Sequence, residues 1–362
     1  MTGIGAALPA TTAWGLGPLQ QLIDTPGVTD VLVNGGERVA GGHRAWIDRG
    51  AGLEPVLVPI EGEQEVRAIA VRLATAAGRR LDEAMPWVDA RLPGGIRLHA
   101  VVPPVTPGGT HLSLRLLRGA RLDLAALVEA GTVPPAWSPV LQALVARRAA
   151  FLVSGGTGAG KTTLLAALLS LVPARERIVL VEDVGELRPV HPHVVRLEAR
   201  HANVEGRGAI TLEDLVRQSL RMRPDRIVVG ECRGPEVREL LAALNTGHAG
   251  GCGTVHANAA GELPARLEAL GSLAGLPVQA VHSQAAAAFD AVLHLRRDGP
   301  GRRLVEIAAV VGPGAGPGAA AGLSILPALV ADDADPAGPG HSGPGWPVLA
   351  ARLGLASRVG PC

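Results

Sequence analysis

A chain of 362 residues is long enough for two domains, and its formal net charge of +1 removes any global electrostatic case for binding nucleic acid or a membrane surface. Five Trp, two Phe and no Tyr also leave little with which to build a stacking platform for single-stranded nucleic acid. The three cysteines, Cys232, Cys252 and Cys362, contain no CxxC pair, so neither a zinc ribbon nor a disulfide framework is expected and a reducing cytoplasm fits best.

In chain order, residues 1–18 read as a flexible leader. The first charged residue is Asp24, so the basic start of a signal peptide is missing. An α+β domain is expected over 19–118. It begins with a short helix near Leu19–Ile23 and a strand at Val31–Val33. Asn34-Gly35-Gly36 reads as a hairpin turn leading to short strands near Arg38–Ala40 and Ala45–Ile47. Val66, Ile69, Ala70 and Leu73 follow helical spacing, which predicts a helix over about 62–78. Three alternating segments follow at 88–92, 96–100 and 112–116. Their period of two puts Asp89 with Arg91, Arg97 with His99, and Arg115 opposite three leucines. The plain interpretation is a solvated sheet face; the sharper one is an arginine-lined face for an anion. Residues 119–148 hold two helical patterns split by Gly131 and Pro134-Pro135, taken as linker and first helix.

A second domain, a P-loop α/β unit over 149–311, opens on Phe151–Gly155, an apolar strand running into Gly156-Thr157-Gly158-Ala159-Gly160-Lys161-Thr162-Thr163. The spacing Gly155-x4-Gly160-Lys161-Thr162 is that of a phosphate-binding loop between a strand and a helix. Glycines let successive N–H groups converge on one anion at a helix N-terminus. Lys161 would reach the β/γ-phosphates of ATP and Thr162 would ligate Mg²⁺. With 48 glycines a chance match must be weighed, but Lys161 is the only lysine, the other 33 basic residues being arginine. A compact ammonium is not replaceable by a planar fork at this position. Further strands are expected at 177–181, 194–197, 226–229, 253–256, 291–295 and 304–311, with helices near 161–172, 211–222, 234–245 and 260–272. Alternating strands and helices imply a largely parallel sheet with ligand loops at the strand C-terminal ends.

Three further segments follow apolar strands. Glu182 begins an acidic run, Glu182-Asp183-Val184-Gly185-Glu186, able to hold Mg²⁺ or its waters; in isolation it is also an ordinary acidic turn. Ile227-Val228-Val229-Gly230-Glu231 is Walker B-like, with Gly230 where aspartate is common, so Glu231 is the candidate to deprotonate the attacking water. Arg221, Arg223 and Arg233 flank it as candidate arginine fingers or charge sensors. In Thr246–Asn258, His248, Cys252 and His256 invite a zinc interpretation, but three intervening glycines oppose a helix that would align them and no fourth ligand is nearby. A strand-end histidine that bonds the γ-phosphate fits better. From 312 to 362 Gly and Pro dominate, which reads as a disordered tail; the uncharged run Ala308–Ala331 is broken by prolines and is not taken as a membrane helix.

Gly155–Thr163, Glu182–Leu187, Asn203–Gly208, Arg221–Glu236 and Thr246–Asn258, in this order, resemble the type II/type IV secretion ATPase superfamily, and within it the Tad/Flp pilus-assembly ATPases. Pro86–Gly95 is similar to the first domain of that branch. The resemblance covers about residues 17–311. It implies a cytoplasmic homo-hexamer at the inner face of the cytoplasmic membrane, with a RecA-like motor domain behind a mobile N-terminal domain, working with inner-membrane platform proteins. It also implies that Arg91, Arg97 and Arg115 approach the nucleotide, and that Glu182, Glu231 and His248/His256 lie in the Asp, Walker B and His boxes. Ala249 stands where an acidic residue is usual, and Gly253 replaces a frequent threonine. A DNA-transfer ATPase and a non-hydrolysing nucleotide-dependent scaffold are the alternatives; direct nucleic-acid contact and membrane insertion are not expected.

Overall fold

A computed structural model describes residues 15–50, 52–92, 95–116, 122–200, 202, 207–299, 301–314 and 322–356. The chain divides into two units, Met1–Arg118 and Gly119–Cys362.

In the first unit a short helix α1 (Gln20–Asp24) precedes β1 (Asp30–Val39), β2 (Gly42–Asp48), β3 (Leu53–Val58), helix α2 (Glu63–Ala76), β4 (Trp87–Leu92), β5 (Ile96–Val101) and β6 (His111–Leu116). The strands form one antiparallel sheet in the order β3-β2-β1-β6-β5-β4. The helical spacing of Val66, Ile69 and Leu73 gives α2 one apolar stripe, and all three are buried in a core with Val31, Val33, Leu98 and Leu114. Asn34-Gly35-Gly36 is not the hairpin turn. These residues lie within β1, at an irregularity in its pairing with β2, and the Gly35 amide donates to the Thr110 carbonyl at 2.7 Å. The chain reverses after Val39 instead. A glycine pair inside a strand marks a bulge and close backbone approach as readily as a turn.

The second unit begins with α3 (Leu124–Glu129) and α4 (Ser138–Ala146). There follow β7 (Phe151–Gly155), α5 (Lys161–Leu169), β8 (Ile178–Glu182), β9 (Val194–Glu198), α6 (Leu212–Ser219), β10 (Arg226–Cys232), α7 (Glu236–Asn245), β11 (Cys252–Val255), α8 (Leu263–Leu273), α9 (Val278–Ala288) and β12 (Ala291–Asp298). The unit ends with β13 (Gly301–Val311), β14 (Ser324–Val330), β15 (His341–Ser342) and α10 (Trp346–Leu353). The sheet order is β15-β14-β13-β12-β7-β11-β10-β8-β9. From β12 to β9 every pairing is parallel; β13, β14 and β15 add antiparallel. Both faces are covered. Phe151 and Val153 pack with Trp137, Leu144, Leu165, Leu168 and Leu349 on one side. Leu152 packs with Leu240, Leu241, Leu267 and Val281 on the other. Burial on both faces is why these strands read as unbroken apolar runs. α6 starts as its sequence suggests, with Thr211 and Asp214 forming a reciprocal capping box.

Three expectations need correction. The stretch 119–148, expected as linker and first helix, does carry helices α3 and α4, but its described part is no linker: Leu124, Leu127, Trp137, Leu141 and Leu144 belong to the core of the second unit. Nor is the region from 312 a disordered tail where it is described. β14 extends the sheet, and α10 buries Trp346, Leu349 and Leu353 in the same core, while the Trp137 indole donates to the Pro339 carbonyl at 2.9 Å. Its Gly/Pro content punctuates elements that the apolar residues between them hold in place. The flexible leader expected over 1–18 does not hold where it is described, since Leu16 is buried in the core of the first unit. The stretches 1–14, 315–321 and 357–362 and most of the block Asn203–Gly208 lie outside the described residues.

Candidate functional site

The C-terminal ends of parallel strands β7, β8, β10 and β11 all open on one edge of the sheet, and the last strand residues together with the loops that follow carry the polar groups. After β7 the chain turns through Gly156–Gly160, where Gly160 adopts φ +95°, a conformation that an L side chain rarely takes. Lys161 is then the first residue of α5. Its side chain is only 8% exposed, and Nζ donates to the carbonyls of Gly155 and Gly156, each at 2.9 Å. Burial pushes the ammonium below its usual range, and the charge of Glu231 opposes that shift. Thr157, Ala159, Thr162 and Thr163 complete the loop and the first turn of α5.

Glu231 and His256 meet Lys161 here. His256, just beyond β11, places Nε2 3.3 Å from Lys161 Nζ and 2.9 Å from Glu231 Oε1. Desolvation and the adjacent Lys161 charge hold the His256 imidazole below its ordinary range. Arg233 Nη2 donates to the other oxygen of Glu231 at 2.5 Å. Strand register explains the neighbouring carboxylate. Val181 of β8 pairs with Val229 of β10, so Glu182 arrives beside Gly230. A Cβ on residue 230 would lie 2.7 Å from Glu182 Cγ, so the Glu182 side chain fills the room that a Walker B aspartate would need. Glu182 Oε1 accepts from the amides of Glu186 and Leu187 at 2.8 and 2.9 Å. Its Oε2 is buried without a hydrogen-bond partner among the described residues, and desolvation raises the carboxyl above its usual range. Thr254 of β11 donates to the Gly230 carbonyl at 2.6 Å and steadies this position.

Within the second unit, two candidates do not join the cluster. His248 precedes the N-terminal end of β11, where its Nδ1 lies 3.3 Å from the Ala243 carbonyl at the end of α7. Arg221 precedes β10, whereas Glu231 lies near that strand's C-terminal end. Cys252 is buried in the core and its thiol is pushed up to about 12 by desolvation, so the His248, Cys252 and His256 side chains occupy separate places. Among the described residues no group of three or more His, Cys, Asp or Glu is arranged to hold a metal ion. In the first unit Arg91, Arg97 and Arg115 stand side by side, Arg91 opposite Arg97 and Arg97 opposite Arg115 across β4, β5 and β6. Asp30 bonds Arg115 at 2.9 Å, and Asp89 lies 3.7 Å from Arg97.

One contact escaped the sequence reading. Arg302 on β13 donates through Nε to the Gly158 carbonyl at 3.0 Å, in the middle of the phosphate loop. The available signal was the repeated pair, Arg296-Arg297 and Arg302-Arg303, around a turn.

Residues 12–298 match the type II/IV secretion system protein family. The chain belongs to that family. A putative conjugal transfer protein of Mycobacterium tuberculosis is 58% identical over 305 residues, covering 82% of this chain and 85% of the relative. Two solved structures share the fold. One is the Legionella pneumophila ATPase DotB, with a TM-score of 0.56, 18% identity, and coverage of 80% of this chain and 79% of that one. The other is the pilus retraction motor PilT with bound ADP, with a TM-score of 0.54, 23% identity, and coverage of 80% and 81%. The architecture is a RecA-like P-loop domain preceded by a smaller α+β domain. With an intact phosphate-loop sequence inside this family and fold, the chain is an ATP-hydrolysing enzyme of the type II/IV secretion family.

Proposed function

We propose that the chain is the motor subunit of a Tad/Flp-type pilus-assembly or secretion machine, working as a homo-hexamer at the cytoplasmic face of the inner membrane. The observation that carries this reading is the convergence of Lys161, Glu231 and His256 beside the phosphate loop, with Glu182 on the adjoining strand end. Gly155–Thr163 bind the nucleotide. Lys161 exchanges the Gly155 and Gly156 carbonyls for phosphate oxygens of ATP. Mg²⁺ would be held by the Thr162 hydroxyl and supported by Glu182, whose unpartnered buried oxygen fits a cation or its water; the ion supplies charge neutralisation at the β/γ-phosphates. Glu231 takes the proton of the attacking water. His256, kept neutral by burial and by Lys161, hydrogen-bonds the γ-phosphate and registers its loss. Arg233 orients Glu231 through its hydrogen bond, and Arg91, Arg97 and Arg115 are the proposed phosphate-sensing arginines of the first unit. Loss of phosphate then drives rigid-body rotation of the domains. Among the described residues no helix is long and apolar enough to cross a membrane, and this reading assigns membrane attachment to platform proteins.

Steady-state phosphate release by wild type and Glu231→Gln tests the assignment: the variant is expected to lose about a hundredfold or more in kcat, and equal turnover sinks it. A non-hydrolysing scaffold would instead show nucleotide-dependent oligomerisation with negligible wild-type turnover. The description of the Mycobacterium tuberculosis relative favours a second reading, a conjugal transfer ATPase. Stimulation of ATP turnover by added DNA would select that reading over pilus assembly.

A further inference from the structure

The β12–β13 hairpin carries four arginines in two register pairs, Arg296 opposite Arg303 and Arg297 opposite Arg302. Directly opposed residues of an antiparallel pair share a face, and successive pairs alternate. The two pairs therefore serve opposite sides. Arg296 bonds both oxygens of Asp298 at 2.8 and 3.2 Å and Asp333 at 2.6 Å. Arg303 donates to the Asp332 carbonyl at 3.2 Å and lies 3.5 Å from Asp333. The C-terminal segment thus braces one side of the hairpin. The other side faces the phosphate loop. Arg302 Nε donates to the Gly158 carbonyl, and its Cδ is 3.3 Å from where a Cβ on Gly160 would stand. Arg297 Nη1 is 3.4 Å from the corresponding point on Gly158.

We propose that Arg302 is a positioning residue for nucleotide binding, acting through the Gly158–Ala159 peptide; the proposal rests on the assignment of this loop as the phosphate site. In a planar trans peptide the N–H points away from the C=O. Holding the Gly158 carbonyl against the hairpin therefore turns the Ala159 N–H into the loop, where it meets the Gly156 carbonyl at 3.4 Å. That amide is one of the donors a phosphate would use. Without Arg302 only the long Ala159–Gly156 hydrogen bond restrains this peptide between Gly158 and Ala159, and any rotation that presents the carbonyl dipole to the anion opposes binding. Asp332 and Asp333 extend this effect to the C-terminal segment by fixing the hairpin. Arg302 lies beyond residue 298, where the family match ends.

The test uses the full-length chain. Binding of a fluorescent ADP analogue and ATP turnover against concentration are measured for wild type, Arg302→Ala and Arg302→Lys, with melting temperatures in the absence of nucleotide. Arg302→Ala is expected to weaken the Kd and raise KM about tenfold, as loss of one charge-assisted hydrogen bond allows, with kcat at saturation changed by less than about twofold. Arg302→Lys, which keeps a donor, recovers part of the affinity, and the apo melting temperature is unchanged. A wild-type Kd in Arg302→Ala overturns the proposal alone. A parallel fall in affinity, kcat and melting temperature also overturns it, by showing a general structural role. Failure of the wild-type chain to bind the analogue overturns both this proposal and the nucleotide assignment beneath it.

Discussion

Replacing Gly230 with alanine probes the centre of the site with one methyl group. The added Cβ would stand 2.7 Å from Glu182 Cγ and 3.2 Å from its Oε1. Carbon atoms rest at about 3.5–4.0 Å, so roughly 1 Å of relief is needed. The backbone has little slack, because β10 pairs with β8 and β11 up to Val229, rejoins β11 at Cys232, and the Gly230 carbonyl accepts from Thr254. The Glu182 side chain must therefore move, abandoning its hydrogen bonds to the Glu186 and Leu187 amides. Overpacking of this kind costs about 1–3 kcal/mol, which at about 2–4 °C per kcal/mol for a domain of this size lowers the melting temperature by roughly 2–12 °C. If Glu182 supports the reaction as proposed, its displacement also forfeits about a hundredfold in kcat, or about 2.7 kcal/mol. Phosphate release at saturating ATP, ADP-analogue affinity and thermal melting are measured together. ADP-analogue affinity is expected to stay within about threefold of wild type, because Lys161 and its loop follow β7, separated from β10 by β11. Glu182→Gln, nearly the same in volume, is the control: it should lose turnover without the fall in melting temperature. A Gly230→Ala enzyme that hydrolyses ATP at the wild-type rate, despite a lowered melting temperature, refutes the placement of Glu182 at the reaction centre.

Two further outcomes follow from burial. Trp346→Ala removes a large side chain from the core shared by α4, α10 and the sheet, and should cost about 3–5 kcal/mol, read as a fall in denaturant midpoint; a change below about 1 kcal/mol would mean that α10 does not dock stably. His294 is buried against the Ser154 hydroxyl at 2.9 Å, and desolvation holds its pKa below the usual 6.5. The unfolded chain therefore takes up this proton first as pH falls, so stability is lost on going below pH 6.5 until the folded-state pKa is passed. His256 shifts in the same direction, so His294→Asn should flatten the acid limb of a melting-temperature profile without abolishing it. Identical slopes in the two proteins would contradict the assignment.

Much of the site was legible because its chemistry is local. The glycine spacing, the helix that starts at Lys161, and carboxylates placed just after apolar strands each need only a few consecutive residues. Parallel strands carry such loops to one edge of a sheet whatever the rest of the chain does. His248 and His256 show where that reasoning stops. Both flank the same strand in sequence, but β11 separates them, so one bonds a helix end while the other reaches Lys161. The arginines divide in the same way: Arg233 follows β10 and holds Glu231, whereas Arg221 precedes that strand.

By itself the sequence determined the glycine pattern of the loop after β7 and the succession of buried strands, and it put forward Glu182, Glu231 and His256 as site residues, because each follows from short-range pattern and spacing. Only the tertiary structure decided which end of a strand a residue occupies, that Glu182 fills the space beside Gly230, and that Arg302 reaches the loop from β13. It also decided the fate of the glycine-rich C-terminal segment. Composition there argues for disorder, but Leu329, Trp346, Leu349 and Leu353 find a core already built by α4 and the central strands. Burial against partners distant in sequence is a property that no local pattern carries.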